Sequence, residues 1–257
     1  MYCRVFLKKD SQLLSINDIP PDRAKAKPPQ YLEIEGTELK DFQVDSHNVG
    51  VSEIKTLFGT GKALQLTAQA KTPSGIQIQK DLTIELYREY PEIALVTATY
   101  RNLEPTRPIQ ITRTINSFFR LDATRTHSRN PSYAFIAVQG RPDSTGTNLL
   151  RITSANFART FELSPDESSE LRSVPLLDVW NSEMGMAIGS LPPVAQTLVL
   201  PIRVAADLKL EISLQSKTGR ELQPGEAFVT PKSFWMVHDG GGPAAFQKYS
   251  AFLASTK

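Results

Sequence analysis

Apolar and polar residues alternate along much of the chain with a period of two. The clearest case spans residues 76–86, where alternate positions are largely apolar and the positions between them carry Gln, Asp, Thr and Glu. Successive side chains of a strand point to opposite faces, so this pattern predicts a half-buried strand with one solvated face. The same pattern predicts strands at 64–70, 198–204 and 208–214.

Turn-forming residues separate the alternating segments. Residues 72–75 and 217–220 each contain a glycine between two such segments and are predicted hairpin loops. Segments 20–29, 120–131 and 164–173 are predicted to be longer loops. We count roughly fourteen or more strands at the spacing typical of sandwiches, and no helical period before the C-terminus. The predicted fold class is all-β: a large antiparallel sandwich of two sheets with a short C-terminal helix.

The C-terminal segment differs from the rest of the chain. Three glycines, 240–242, precede Pro243, which suits the first turn of a helix. The predicted helix has an apolar stripe that needs a packing partner: Phe246, Tyr249 and Leu253. A glycine hinge before a lone helix is typical of a link between domains. We therefore predict a sandwich domain over 1–239 and a hinge with a linker helix over 240–257. Together they would form one module of a larger multidomain protein.

Composition narrows the class of protein. A chain of 257 residues that is 40% hydrophobic can bury a full core. The 29 basic and 27 acidic residues are interspersed, and without a basic stripe we do not expect nucleic acid as a partner. The single Cys3 excludes an internal disulfide. No apolar run or N-terminal leader predicts a membrane span or a signal peptide, so the default expectation is a cytoplasmic protein without membrane contact.

Common catalytic and metal-binding motifs are missing. The sequence has no Gly-x-Ser-x-Gly nucleophile elbow, and Gly59-Thr60-Gly61-Lys62 precedes a predicted strand, which favours a tight turn over a phosphate loop. The three histidines, His47, His127 and His238, are far apart and lack metal-ligand spacing. We predict no metal, no cofactor and no catalytic residue in this chain.

Carbohydrate recognition is the chemistry that the remaining polar and aromatic residues favour. Sugars are bound by aromatic faces together with charged or amide groups that hydrogen-bond vicinal hydroxyls. Two segments mix these groups, and their candidate residues are Asp178, Trp180, Trp235, His238 and Asp239. The alternative is that both tryptophans fill the core between the sheets. A third candidate is Arg120 with Asp122, which share a strand face and form either an ion pair or a polar corner of a groove.

Several short motifs occur in a fixed order along the second half of the chain. They are Val174-Pro175-Leu176-Leu177-Asp178-Val179-Trp180, Met184-Gly185-Met186-Ala187-Ile188-Gly189, Leu200-Pro201-Ile202, Leu222-Gln223-Pro224-Gly225-Glu226, and the segment from Thr230-Pro231 to His238-Asp239-Gly240. This succession resembles the N-terminal β-supersandwich domain of α-galactosidase-like enzymes of glycoside hydrolase family 36. The resemblance covers roughly residues 75–257, and the closing helix is similar to the linker that leads into the catalytic barrel of those enzymes.

The resemblance implies a galactose-mutarotase-like supersandwich of two large antiparallel sheets. It also implies that the catalytic aspartates belong to a (β/α) barrel, for which this chain shows no alternation of strands and helices, so none is carried over. We therefore expect a non-catalytic carbohydrate-associated domain, a truncated or stand-alone piece of an α-galactosidase-like glycoside hydrolase, with Trp180 or Trp235 as a candidate for the substrate rim. Its expected partners are carbohydrate and either a catalytic barrel or a second copy that contacts the terminal helix.

Two other functions stay open. An aldose 1-epimerase (mutarotase-like) would use the same sandwich on free sugars, with a carboxylate and a histidine as general base and acid. None of the three histidines lies in a pattern that favours this enzyme. The third hypothesis is a protein-interaction module that uses the exposed stripe of the terminal helix.

Overall fold

The computed structural model describes most of the chain as two antiparallel sheets that face each other, with one helix. The described residues are 3–9, 12–17, 19–20, 26–122, 135–140, 149–152, 157–163, 174–192, 197–240, 242 and 244–255. His127, Gly241, Pro243, residues 123–131 of one predicted loop and all of the predicted loop at 164–173 lie outside these residues. Residues 120–122, predicted as the start of a loop, belong to a strand instead. The predicted all-β sandwich with a short C-terminal helix is confirmed.

Within the described residues, the larger sheet has ten strands. In spatial order they are β11 (Leu150–Ile152), β10 (Phe135–Gln139), β13 (Leu176–Trp180), β14 (Gly185–Ser190), β18 (Ser233–His238), β8 (Ile93–Asn102), β7 (Gln77–Tyr87), β6 (Gly59–Lys71) and β5 (Gln43–Thr56), while β17 (Ala227–Val229) also pairs with β8.

The smaller sheet, with six strands in the part of the chain that the structure describes, supplies the other layer of the sandwich. Their order is β12 (Ala158–Leu163), β15 (Leu198–Val204), β16 (Lys209–Leu222), β9 (Ile109–Asp122), β3 (Tyr31–Ile34) and β4 (Thr37–Leu39). A separate hairpin is formed by β1 (Phe6–Lys9) and β2 (Gln12–Ser15).

The main core lies between the two sheets, where alternate residues of the facing strands point inward. Trp235 of β18 illustrates the contact: its ring meets the ring of Phe119 on β9 edge-on, with centroids 5.2 Å apart. The indole Nε1 of Trp235 donates to the hydroxyl oxygen of Ser117 at 2.8 Å. The sequence left open whether this tryptophan contacts sugar or fills the core, and in the fold it lies in the core.

The helix α1 (Ala244–Ala254) packs on the outer face of the ten-stranded sheet. Tyr249 stacks on Phe234 of β18 with centroids 5.1 Å apart, and Phe252 stacks on Phe58 at 4.7 Å. The buried residues are Ala245, Tyr249 and Phe252, whereas Phe246 and Leu253 of the predicted stripe are half-buried. The helix is rotated relative to the prediction because Tyr249 packs on Phe234 of the sheet and Phe252 packs on Phe58 in the turn between β5 and β6. The division into domains at residue 239 stays a prediction.

One predicted hairpin is confirmed and one is wrong. At 72–75, Gly75 has a φ of 93° and its N–H donates to the carbonyl of Thr72 at 2.9 Å, which turns β6 into β7. At 217–220, β16 continues through the segment, and its register with β9 shifts between Lys217 and Arg220. Gly219, with a φ of 55°, sits in this irregularity. A β-bulge uses the same left-handed glycine as a turn, which explains the wrong prediction.

In the part of the chain that the structure describes, no helix is long and apolar enough to cross a membrane.

Candidate functional site

The two tryptophans predicted to contact sugar lie on opposite faces of the ten-stranded sheet. Trp235 points into the sandwich core, while Trp180 lies on the outer face, two residues after Asp178. Each tryptophan is only 4% exposed. Both have structural roles in this fold, and their contact with a sugar stays an untested prediction.

Asp178 and His238 are brought together by strand register although 60 residues separate them. Asp178 of β13 is opposite Ala187 of β14, which is opposite Met236 of β18, so Asp178 and His238 lie on the same face of the sheet and meet across β14. The His238 Nε2 and Asp178 Oδ1 atoms are 2.9 Å apart, and both side chains are fully buried. Gly240 N–H donates to His238 Nδ1 at 3.3 Å, so Nε2 carries the proton that is donated to Asp178.

The environment of this pair is closed and apolar. Burial raises the pKa of the Asp178 carboxyl, whereas the hydrogen bond from His238 and the nearby backbone N–H groups of Ala245 and Val179 favour its charged form. Among the described residues, the second carboxylate oxygen, Oδ2, has no hydrogen bond of good geometry. Ala245 lies in the first turn of α1, where a carboxylate is favourable. The pair therefore ties the start of the helix to the sheet.

Two glycines make room for this arrangement. A Cβ atom on Gly185 would lie 2.0 Å from the ring of His238, so the neighbouring strand must carry a glycine there. Gly240 has a φ of 79°, and a Cβ on it would lie 2.4 Å from the carbonyl oxygen of Asn181. Gly240 is thus held against the turn between β13 and β14. Asp239, between His238 and Gly240, is exposed.

Arg120 and Asp122 lie on the outer face of the six-stranded sheet, near its surface. The Arg120 guanidinium pairs with Asp207 at 2.5 Å, and Asp122 pairs with Lys209 of β16 at 2.8 Å. These cross-strand ion pairs fix the end of β9 against β16. The same face carries a second set of polar contacts, a network centred on Arg113.

The network around Arg113 joins three strands on this outer face. Arg113 of β9 donates to Glu33 of β3 at 2.5 Å and to Gln215 of β16 at 3.2 Å. Gln215 in turn donates to the hydroxyl of Ser213 at 2.9 Å. Glu33 and Gln215 lie on the two strands that neighbour β9, and Ser213 lies two residues before Gln215 on β16. These contacts hold the side chains in fixed orientations.

A cleft of about 190 Å³ opens in the middle of this face. At its base lies a small apolar cluster separate from the main core, made of Tyr31, Ile115 and Phe118. The Lys27 ammonium lies 5.7 Å from the centroids of both the Tyr31 and the Phe118 rings. Burial, followed by the nearby Glu38 carboxylate, raises the pKa of the Tyr31 hydroxyl, which stays protonated and can donate.

Charged groups form the rim of the cleft. Arg203 of β15 pairs with Glu211 of β16 at 2.6 Å, and Lys27 pairs with Glu38 at 3.4 Å. The described residues contain no group of His, Cys, Asp and Glu that could hold a metal ion. Paired donors and acceptors around an aromatic base suit a polyhydroxylated ligand. Sequence reasoning missed this cleft because each of its charged residues, taken alone, indicates only a solvated strand face.

Comparison with known proteins supports the fold. No family model and no curated protein matches the chain. Among solved structures, the raffinose complex of a variant of the family 36 α-galactosidase AgaA from Geobacillus stearothermophilus is 15% identical with a TM-score of 0.61, over 95% of this chain and 34% of that one. The α-galactosidase from Lactobacillus brevis is 12% identical with a TM-score of 0.59, over 96% and 34%.

A third similar structure has a different named specificity. The α-N-acetylgalactosaminidase NagBb from Bifidobacterium bifidum, in complex with GalNAc, is 13% identical with a TM-score of 0.53, over 98% of this chain and 36% of that one. The chain spans about a third of the length of these solved structures. The predicted fold resemblance is confirmed, and at these identities the likeness concerns the fold alone.

Proposed function

We propose that this chain is the non-catalytic, carbohydrate-associated sandwich domain of an α-galactosidase-like glycoside hydrolase. The observation that carries the proposal is the extent of the structural likeness. It takes in 95% of this chain but only 34% of the AgaA variant. The larger part of such an enzyme has no counterpart in this chain. This favours an accessory role for the domain beside a catalytic barrel.

The carboxylates of the described residues also favour a non-catalytic role. Glycoside hydrolysis needs two carboxyl groups about 5 to 10 Å apart across an accessible bond, one of them with a raised pKa. The pKa of Asp178 is raised, but this residue is sealed beneath α1. At the cleft, Glu211 is engaged by Arg203 and Glu38 by Lys27, and the pKa of Glu38 is lowered. Ion-paired carboxylates of this kind are poor proton donors.

The carbohydrate part of the proposal rests on the outer face of the six-stranded sheet. Its cleft combines aromatic side chains with oriented donors and acceptors, the mixture that sugars require. Two of the similar structures are described as complexes with raffinose and with stachyose. We extend this class of ligand, α-galactoside oligosaccharides, to the present chain as part of the proposal.

Calorimetric titration of the purified chain with raffinose and stachyose tests the binding claim, and incubation with an aryl α-galactoside tests the catalytic claim. We expect weak saturable binding and no release of the aryl alcohol. Turnover that survives purification and is lost in a carboxylate variant of this chain would overturn the non-catalytic claim. Titrations without heat or saturation for either sugar would overturn the carbohydrate claim.

A further inference from the structure

We propose that the cleft on the six-stranded sheet binds one neutral pyranose ring, which stacks on Tyr31 and Phe118 at the place now held by the Lys27 ammonium. This inference rests on the proposed carbohydrate function and gives it a specific site. It concerns residues other than those that the motifs of the sequence indicated.

The base of the cleft has the chemistry that one face of a pyranose needs. The base is an apolar cluster made of Tyr31, Ile115 and Phe118. This cluster lies on the solvent side of the sheet, a face that usually carries polar side chains. Tyr31 and Phe118 both line the cleft, and the Lys27 ammonium lies over both rings, which are only 3% and 9% exposed. Since axial C–H groups of a sugar carry partial positive charge, they can occupy the same ring faces as an ammonium group.

Lys27 is weakly held at this place. Its ammonium is 3.4 Å from Glu38 and 3.5 Å from the Tyr31 hydroxyl, both at the long limit for such contacts. The side chains of Lys27 and Glu38 are 34% and 30% exposed, so solvent screens their ion pair. Lys40 lies 3.1 Å from the other oxygen of Glu38 and can hold this carboxylate when Lys27 moves away.

The rim of the cleft favours a neutral ligand. The cations are Lys27, Arg113 and Arg203, and the anions facing them are Glu38, Glu211 and Glu33. Each of these charges has a partner of opposite sign, and only Lys40, which shares Glu38 with Lys27, adds a net positive charge, so the cleft attracts ions weakly. Carboxylate oxygens and guanidinium N–H groups that are already oriented can still bind sugar hydroxyls, which donate and accept at once.

The size of the cleft limits the ligand to a single ring. Its volume of about 190 Å³ is below the roughly 300 Å³ at which pockets for larger organic ligands begin. One terminal ring of an oligosaccharide fits, with the rest of the chain in solvent. We therefore expect free galactose and the galactosyl end of raffinose to bind at the same place.

The test uses single substitutions that remove one contact each. Tyr31→Phe keeps the ring and removes the hydroxyl, Glu211→Gln removes one carboxylate, and Lys27→Met removes the competing ammonium. Glu162→Gln is the matched control, since Glu162 lies on the same sheet face, pairs with Lys217 and does not line the cleft. Galactose and raffinose are titrated against each variant by calorimetry, and thermal melting verifies that each variant is folded.

We expect Tyr31→Phe and Glu211→Gln each to weaken binding of both sugars roughly five- to tenfold, the effect of one lost hydrogen bond. Lys27→Met should strengthen binding, and Glu162→Gln should leave it unchanged. Sugar binding that is equally strong in wild type, Tyr31→Phe and Glu211→Gln would overturn the cleft assignment while the proposed function stands. Failure of the wild-type chain to bind either sugar would overturn both.

Discussion

Lys80 is a buried cation in the sandwich core, and it should make the stability of the protein depend on pH in the alkaline range. Its ammonium donates to the carbonyl of Gln30 at 3.0 Å and lies 5.5 and 5.9 Å from the ring centroids of Phe42 and Tyr100. The residue is 4% exposed, and within the described residues no ion pair compensates its charge. Burial lowers its pKa from 10.5 to about 7.

The sign of the effect follows from proton binding. Between the folded pKa near 7 and the unfolded value of 10.5, the unfolded chain holds a proton on Lys80 that the folded chain does not. Stability therefore rises with pH through this window and is lowest below pH 7, where the folded protein must keep a buried charge. With each pKa unit worth about 1.4 kcal/mol, the free energy of unfolding should rise by about 2 kcal/mol between pH 7 and pH 9.

Lys80→Met removes the charge and keeps the length of the side chain. The variant should be more stable than wild type at pH 7 by about 1 to 3 kcal/mol, since relief of a penalty of about 4 kcal/mol is partly offset by the unpartnered Gln30 carbonyl. The advantage should shrink by about 2 kcal/mol at pH 9. Urea unfolding at both pH values measures it, with the exposed Lys62→Met as control. If Lys80→Met were more stable than wild type by the same amount at pH 7 and at pH 9, the lowered pKa of Lys80 would be wrong.

Three further substitutions test the packing. Trp235→Ala should lower the free energy of unfolding by roughly 3 to 5 kcal/mol in chemical denaturation, because it opens a cavity beside Phe119 and removes the N–H that donates to the Ser117 hydroxyl; a loss below 1 kcal/mol would contradict burial. Gly185→Ala places a Cβ against the His238 ring and should lower the melting temperature by several degrees, and an unchanged melt would contradict the close approach. Tyr249→Ala should release α1, seen as faster amide exchange confined to the helix; uniform exchange rates in variant and wild type would contradict its docking.

The alternation of apolar and polar residues was enough to predict the class of fold. It could not distinguish a turn from a bulge at Gly219, because both use a left-handed glycine, and only the pairing of β16 with β9 decides between them. It also left the rotation of α1 undetermined. The choice between Leu253 and Phe252 as a buried residue depends on where the β5–β6 turn places Phe58 and the β7–β8 connection places Tyr90.

The cleft could not have been predicted because its residues are far apart in the sequence. Arg113 meets Glu33 across 80 positions and Gln215 across 102. Each pairing depends on strand order and register, which local pattern does not fix. The same holds for Asp178 and His238. Each was a candidate sugar-binding residue, but their mutual contact and their burial beneath α1 depend on strand order and register in the sheet.

The most direct test of the central claim is a nuclear magnetic resonance titration of the isotope-labelled chain with raffinose, since one sample reports both binding and cleavage. We expect saturable amide shifts in β3, β9 and β16 around Tyr31, Phe118 and Ser213, with the anomeric signals of raffinose unchanged over days. Growth of free galactose signals that depends on the chain, or the absence of any saturable shift, would contradict a non-catalytic carbohydrate-binding sandwich.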